Sequence, residues 1–527
     1  VTVHGNTTQL DPKLRDQRIE QCRGSLCVRR NGLLPKTRVY TVATGFGPDH
    51  NLGVYNNSVD TIERAFTERY FLCKDVEGFR PAFEVGPSSF RTAEFSEFRR
   101  LVIDAMPRLP VLTDQQVVDA YHGPKRRVYQ AALHSLQEED LKVQDSHLTA
   151  FVKFEKQDVC KAPRVINPRS PRYNLRLGKY LKHAEHRFFD AINHAFGSRT
   201  PATVIKGFNA DDSAAVLRSK WDCFRRPVAI GLDATKFDMH VSQYALKYEH
   251  SFYTNLFPGI SELRKLLRQQ LVNQGVARAQ DGSVKFRMEG TRCSGDLNTS
   301  LGNCILMCAM IWSYAKELNI DIELANNGDD CVVFMEEREA RVFREGVPTW
   351  FRRRGFSMQV EDDATEFEQI EFCQTHPVEL STGWRMVRNL SAVMRKDPMC
   401  LIPVPNGKVY RKWLGAVGTC GGKLSSGVPV HEAVYEVFSR HGVDSGKLLH
   451  EVYRNRSQLQ LASGIATAHT DARSRVSYYY AFGVLPDDQI QLERYYQQLQ
   501  LDIELRPAIP RDMLVLQPGF NIVTEST

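Results

Sequence analysis

The segment Ile322-Glu323-Leu324-Ala325-Asn326-Asn327-Gly328-Asp329-Asp330-Cys331-Val332-Val333-Phe334 constrains this chain more than any other. Two short apolar runs flank Asn327-Gly328, a pair whose members both tolerate positive φ, so the spacing predicts a tight hairpin carrying Asp329 and Asp330 at or just beyond its tip. Adjacent carboxylates repel, and a folded chain tolerates them where a cation, an Arg or water compensates. A polar turn and a metal site both satisfy that condition.

A second carboxylate pair separates the two. Val228 to Leu232 reads as an apolar strand ending at Asp233, and Asp238 follows five residues later beyond a turn that can bring it back beside the strand end. Phosphoryl transfer assisted by two Mg²⁺ needs carboxylates from separate strand ends converging on ions about 3.5 to 4 Å apart. Mg²⁺ keeps several waters, so a few such oxygens suffice.

At 527 residues the chain is too long for one core, and two to four lobes are expected. A hydrophobic share of 42% with 25% charge describes an ordinary globular protein. The net charge of +7 permits nucleic acid as a partner without demanding it. The 12 cysteines are scattered, several within apolar runs, which suits free thiols in a reducing compartment; Cys22 and Cys27 lack partners at zinc spacing. Cys304 to Ala315, the longest apolar run, is too short to span a bilayer and reads as a buried helix. The chain opens on Val1 without a signal peptide, as expected of the downstream part of a longer product.

Residues 1 to about 55 are turn-rich and read as a strap. Helical spacing predicts helices from Ser58 to Leu72, Thr92 to Met106, Thr113 to His122, Val128 to Leu136, Leu181 to Phe196 and Ala210 to Lys220. Lys125-Arg126-Arg127 precedes one of them, as a solvated helix start or a phosphate contact. Between Phe151 and Arg187 ten Lys and Arg residues face three acidic ones and are interleaved with Pro163, Pro168 and Pro171, so most are expected to project from extended backbone. Extended basic strands suit a channel that grips triphosphate and RNA backbone, with a solvated surface as the alternative. Between the acidic strands, Gly290 to Asn303 holds a Ser-Gly loop and then a helix start with Thr299 and Asn303 four apart on one face, able to read a ribose hydroxyl or simply to cap and pack.

Taken together, Gly231-Leu232-Asp233 through Asp238, Ser294-Gly295 through Asn303, and Asn327-Gly328-Asp329-Asp330 resemble, in order, motifs A, B and C of viral RNA-dependent RNA polymerases. Phe151 to Lys156 with Ala162 to Ile166 is similar to motif F, and Glu371-Phe372-Cys373-Gln374 with Trp384 to Val387 is similar to motif E. The wording, with Ser477 to Phe482 and Pro486-Asp487-Asp488, is most similar to polymerases of plant positive-strand viruses of the tombusvirus type. The likeness spans roughly residues 120 to 490.

The resemblance implies an α+β right hand, with fingers, palm and thumb, a small antiparallel palm sheet and closed fingertips. Residues 1–225 would form strap and fingers, 226–250 and 289–376 the palm, 251–288 a fingers insertion, and 377–527 the thumb and tail. Thumb helices are expected at Pro429 to His441 and Asp487 to Leu499, and the Arg506 to Thr527 tail is expected to run extended.

By the same resemblance Asp233, Asp329 and Asp330 would be the catalytic, metal-binding carboxylates for two Mg²⁺, with Mn²⁺ as a substitute. Asp238, Ser294, Thr299 and Asn303 would select the ribose. Lys153, Lys156 and Arg164 would hold the triphosphate. From charge clustering rather than the resemblance, Lys125, Arg126, Arg127, Arg169, Arg172, Lys206, Arg411 and Lys412 would contact RNA, the last two, with Lys408, lining a duplex exit or else forming a solvated loop. Partners would be template and nascent RNA, ribonucleoside triphosphates and an upstream membrane-anchoring replicase protein, in membrane-associated complexes of the host cytoplasm. Initiation is expected to need no primer. Trp350 to Val360, where related enzymes carry a Lys that serves as general acid, offers Arg352, Arg353 and Arg354, and Arg is too strongly protonated for that work. A non-catalytic RNA-binding replicase subunit is the reading from another class. A reverse transcriptase is disfavoured by Gly328, Asp238 and Asn303.

Overall fold

A computed structural model describes residues 1–15, 23–47, 51–76, 78–446, 448 and 461–514. Cys22 and the tail from 515 onward, on which two of the expectations above fall, lie outside these residues.

The hairpin forms, displaced by one residue from the expectation. Glu323–Asn327 and Asp330–Glu336 pair with Asn327 opposite Asp330, so the central residues are Gly328 and Asp329 rather than Asn327 and Gly328. Only Gly328, at φ +73°, needs the left-handed region, the pattern of a turn with Gly at its first central position. The Asn326 amide closes the turn by donating to the Gly328 carbonyl at 2.7 Å.

This hairpin forms one side of a four-stranded antiparallel sheet. The strand Asp330–Glu336 pairs with Pro227–Thr235, which pairs in turn with Ser357–Ala364. A bulge opposite Gly231 shifts the register on the last pair, and bulges of this kind re-aim side chains next to functional sites. Behind the sheet runs Thr299–Leu318, a helix too apolar all round to be anything but internal. Its Cys304 to Ile311 are fully enclosed in the largest core, together with Ile230, Leu232, Leu324 and Val333.

A second, five-stranded sheet joins distant parts of the chain. The hairpin Val272–Ala279 and Gly282–Glu289 pairs on one side with Gly24–Arg30 and on the other with Leu148–Val152, which continues to Val165–Ile166. The 251–288 segment therefore shares a sheet with the N-terminal half. The C-terminal helices Gly407–Leu424, His431–His441, Ala472–Phe482 and Pro486–Gln498 gather around their own core of Trp413, Val434, Phe438, Tyr478 and Tyr496.

The strap is tied to both ends. Thr2–His4 pairs with Val39–Val42, which pairs with Met399–Cys400, and Tyr495 and Tyr496 donate to the carbonyls of Gly45 and Phe46 at 2.6 and 3.1 Å. The result is an α+β fold with small sheets.

Among the predicted helices, Ala93–Ala105 and Ala210–Trp221 match closely, and Val59–Phe66 passes into a π-turn, Thr67–Phe71. The basic stretch departs from expectation. From Pro171 to Leu181 it is helical, because Ser170 caps and Pro171 takes the first helical position, and a second helix, Glu185–Ala195, replaces the single one expected from Leu181. The helix expected from Thr113 to His122 is shorter, Asp114–Asp119. No helix among the described residues is long and apolar enough to cross a membrane.

Candidate active site

The register of two strands brings the separated carboxylates together. Asp233 lies directly opposite Asp330 in the ladder, and directly opposed residues of an antiparallel pair have Cα atoms about 4.5–5.5 Å apart. Asp329 sits beside them on the turn. Asp233 and Asp329 are both solvent-exposed, although protein closes round the Asp329 carboxyl, and neither forms an ion pair among the described residues. Burial raises the Asp329 carboxyl above the usual range, and Asp233 raises it further. Asp330 is pushed up to about 6, mainly by burial and then by Asp329 and Asp233, although its Oδ2 accepts from the backbone N–H of Cys373 at 2.9 Å. That donor comes from a tight turn in which Cys373 and Gln374 both have positive φ.

The short helix Phe237–His240 returns Asp238 to the same cleft, where burial and then Asp329 push it up to about 6. The turn is pinned by Lys236, left-handed at φ +50°, whose Nζ donates to the Glu68 carbonyl at 2.6 Å. The backbone N–H of Arg292 donates to the Asp238 carbonyl at 2.9 Å, so the two segments move as one.

Thr299 and Asn303 share a face of the internal helix. The Thr299 hydroxyl donates to the Cys293 carbonyl at 2.7 Å, and the Ser294 hydroxyl donates to the Val165 carbonyl at 3.1 Å. Both hydroxyls thus hold the loop against its neighbours. Asn303 lies next to the hairpin turn, its Cβ 4.0 Å from where a side chain on Gly328 would begin.

Lys153 directly follows, and Arg164 directly precedes, the paired strands Leu148–Val152 and Val165–Ile166, and the Lys153 N–H donates to the Arg164 carbonyl at 2.9 Å. Their side chains converge on one carboxylate, Glu155, at 2.7 and 3.5 Å. The Arg164 charge also reaches Asp238 and Asp329, holding both lower than they would otherwise lie. The loop bearing Arg164 is clasped by Arg69, whose guanidinium donates to the carbonyls of Ala162 and Pro163 at 2.6 and 2.9 Å. Lys156 does not join this group: its Nζ donates to the Lys396 carbonyl.

The residues expected to contact RNA divide. Lys125, Arg126 and Arg127 stand exposed on the first turn of Gly123–Glu138, with Arg126 paired to Asp119 at 2.8 Å. Arg411 is exposed and Lys412 half-buried on Gly407–Leu424. Arg169 contradicts the expectation. Its side chain is 1% exposed and bonds Asp296 at 2.5 Å, Asn273 and the Ser146 carbonyl, so it is a core ion pair closed to RNA. Arg172 likewise is spent on Asp145, Ser135 and the carbonyls of Glu139 and Asp140. Lys206 bonds Glu185 and Ser300 at 2.7 and 2.9 Å and lines a cavity of about 300 Å³ behind the hairpin, with Asn327, Cys373 and Tyr435.

Sequence reasoning missed Glu361. At the bulge its carboxyl lies where a side chain on Gly231 would be, and burial, then Glu371, Asp330 and Asp233, push it up to about 7. Gly231 within a strand was the available signal, since such a glycine marks a bulge or close approach. Arg354 is stacked 3.4 Å over Trp350 and so serves packing.

Among the described residues no three His, Cys, Asp or Glu side chains form a ready-made metal cage. The donor set nevertheless fits a hard cation that retains waters: oxygen ligands only, adjacent, and short of compensating positive charge.

Ordered segments with these carboxylates on two facing strands fit the resemblance to nucleotide polymerases drawn from the sequence. The comparisons agree: the family profile described as viral RNA dependent RNA polymerase matches residues 26–504, and the chain belongs to that family. It is 40% identical over 502 residues to the RNA-directed RNA polymerase of Tobacco necrosis virus (strain A), covering 92% of this chain and 67% of that protein. It is 40% identical over 501 residues to that of Oat chlorotic stunt virus (isolate United Kingdom), covering 90% and 66%. With the RNA-directed RNA polymerase of Tomato bushy stunt virus (strain Cherry) it shares 39% over 454 residues, covering 85% and 55%. The chain thus spans between about half and two thirds of these relatives' lengths.

Proposed function

We propose that this chain copies single-stranded viral RNA by two-metal nucleotidyl transfer, within a right-hand layout. The palm is 226–250 with 289–376, the fingers are 1–225 with the 251–288 insertion, and the thumb is 377–527. The observation that carries the reading is the ladder position of Asp233 opposite Asp330, with Asp329 on the adjoining turn.

Asp233 and Asp329 would hold the ions, Mg²⁺ or Mn²⁺, with Asp330 supporting them from its Cys373 hydrogen bond. Bound divalent ions would supply a lowered pKa at the attacking 3′-hydroxyl and charge neutralisation at the pyrophosphate. Lys153 and Arg164 would exchange Glu155 for the triphosphate, a stronger multivalent partner. Asp238 and Asn303 would meet the ribose 2′-hydroxyl, held in place by the loop that Ser294 and Thr299 fasten. Lys125, Arg126, Arg127, Arg411 and Lys412 would follow the RNA backbone. Initiation would proceed without a primer, as the resemblance implies.

The test is purified protein with RNA template, four NTPs and Mg²⁺, with and without primer. Asp329→Asn is expected to abolish incorporation and leave RNA binding within a few-fold. Equal loss of both would count against the metal role, and a strict primer requirement against unprimed initiation. The RNA-binding, non-catalytic reading requires wild-type protein to bind RNA and incorporate nothing.

A further inference from the structure

Beneath Asn303 lies a charge pair that none of the roles above uses. Glu249, on the helix Gln243–Leu256, and Arg292, in the loop before the internal helix, are 0% and 1% exposed and bond at 2.5 Å. Their surroundings are fully specified. Glu249 Oε1 also accepts from Asn298 at 2.7 Å and from the Tyr253 hydroxyl at 2.8 Å, while Asn298 and Gln270 exchange hydrogen bonds. Isolated charges at this depth are strongly unfavourable, and a buried pair with its remaining lone pairs satisfied is tolerated when geometry is excellent.

The pair reaches the cleft through one contact. Arg292 Nε donates to Asn303 Oδ1 at 2.8 Å. A guanidinium has donors and no acceptor, so it fixes which end of the Asn303 amide faces inward: the oxygen. The Asn303 Nδ2 makes no bond to the protein among the described residues and, in a residue only 7% exposed, keeps some contact with solvent. It is therefore left as a donor for whatever occupies the cleft. The Arg292 main chain simultaneously holds the Asp238 main-chain carbonyl, and its charge also acts on the Asp238 carboxyl and lowers it, so the acceptor carboxylate lies near the same guanidinium. Gly302 makes room for the arrangement. A Cβ there would come within 2.3 Å of Glu249 Oε1 and 2.4 Å of Arg292 Nη2.

We propose that Glu249 and Arg292 are positioning residues for sugar discrimination: they lock the Asn303 amide as a donor, so that with Asp238 the cleft offers one donor and one acceptor to a 2′-hydroxyl. A hydroxyl satisfies both at once, and a deoxyribose leaves both unpaired. Sites that leave polar groups unpaired against the wrong substrate discriminate far more strongly than apolar pockets. Without the Arg292 fork the amide can turn over and present its oxygen beside the Asp238 carboxylate, two acceptors that one hydroxyl proton cannot serve. The proposal rests on the ribose-reading role of Asp238 and Asn303 given above.

The experiment is single-nucleotide incorporation by the full chain on a primed RNA template, comparing kcat/KM for a ribonucleotide and its 2′-deoxy analogue. The ratio does not depend on how much of a preparation is folded. Arg292→Lys and Glu249→Asp keep the charge balance while losing the fork or its reach. Both are expected to lower the ratio by about 10- to 100-fold, the size of effect that small misplacements produce, through a raised KM for the ribonucleotide. Asn303→Ala is run beside them. If it lowers the ratio and the Arg292 and Glu249 variants do not, or if those variants lose both substrates in equal proportion, the pair is structural only and the proposal is overturned while the ribose reading stands. If Asn303→Ala leaves the ratio unchanged, the ribose reading itself fails.

Discussion

Asp330→Asn should stabilise the cation-free protein while it disables the site. The substitution is nearly isosteric, and the new Oδ1 can still accept from the Cys373 N–H, so the main change is removal of one charge from a crowded carboxylate group. Folding pushes Asp330 from 3.8 up to about 6. Because the native state binds this proton more tightly than the unfolded chain, stability from this group is lost as pH rises through that interval and the full cost is present above pH 6. At about 1.4 kcal/mol per unit, the cost near pH 7.5 is on the order of 2–3 kcal/mol, and about half of it remains at pH 5. Thermal melting in EDTA should show the variant higher by roughly 2–4 °C at pH 7.5 for a chain this long, with the gap about halved at pH 5. Excess Mg²⁺ should narrow the gap, because the ion compensates only the wild-type charge. A variant less stable than wild type in EDTA at pH 7.5, or a gap independent of pH, would refute the argument that uncompensated charge is stored there.

The remaining expectations concern neighbouring groups. Arg169→Gln should cost about 3–5 kcal/mol of stability by orphaning buried Asp296, measured by chemical denaturation, with no change in the salt dependence of RNA binding. The triple change of Lys125, Arg126 and Arg127 to Gln should do the reverse, reducing the slope of log affinity against log salt by up to about 2–3, read by filter binding at several salt concentrations. Lys153→Ala should raise KM for nucleotides about 10- to 100-fold, the worth of one charge-assisted hydrogen bond, and leave template affinity unchanged in the same preparations. Divalent-dependent incorporation should fall as pH drops through about 6, where Asp330 takes up a proton that competes with cations and Asp238 loses the charge with which it accepts from the ribose; a pH–rate profile flat from 5 to 8 would contradict it.

The carboxylate strands were legible because their chemistry is local: alternation, a turn glycine and paired acids can be read without knowing the fold. The one-residue displacement of the hairpin shows where that ends, since Asn327 and Gly328 both suit a turn and only the register with Pro227–Thr235 decides between them. The basic stretch misled for a different reason. Prolines read as extended punctuation, but Ser170-Pro171 is also a helix start, and it turned Arg172, Arg176 and Lys179 onto helical positions. Charge counting could not separate Arg164, half-exposed beside the acids, from Arg169, buried against Asp296, because the partner lies 127 residues away. Glu249 and Arg292 were invisible as a pair for the same reason: a lone Glu on a helix reads as solvated until the fold supplies its partner.

If Asp233 and Asp329 share bound cations, a count of those cations reads it out. Titration of Mn²⁺, followed by electron paramagnetic resonance with template, primer and a non-hydrolysable nucleotide present, should give two bound ions per wild-type chain. The Asp233→Asn, Asp329→Asn double variant should retain RNA and lose those ions. Unchanged Mn²⁺ stoichiometry and affinity in the double variant would mean that these carboxylates do not hold the ions.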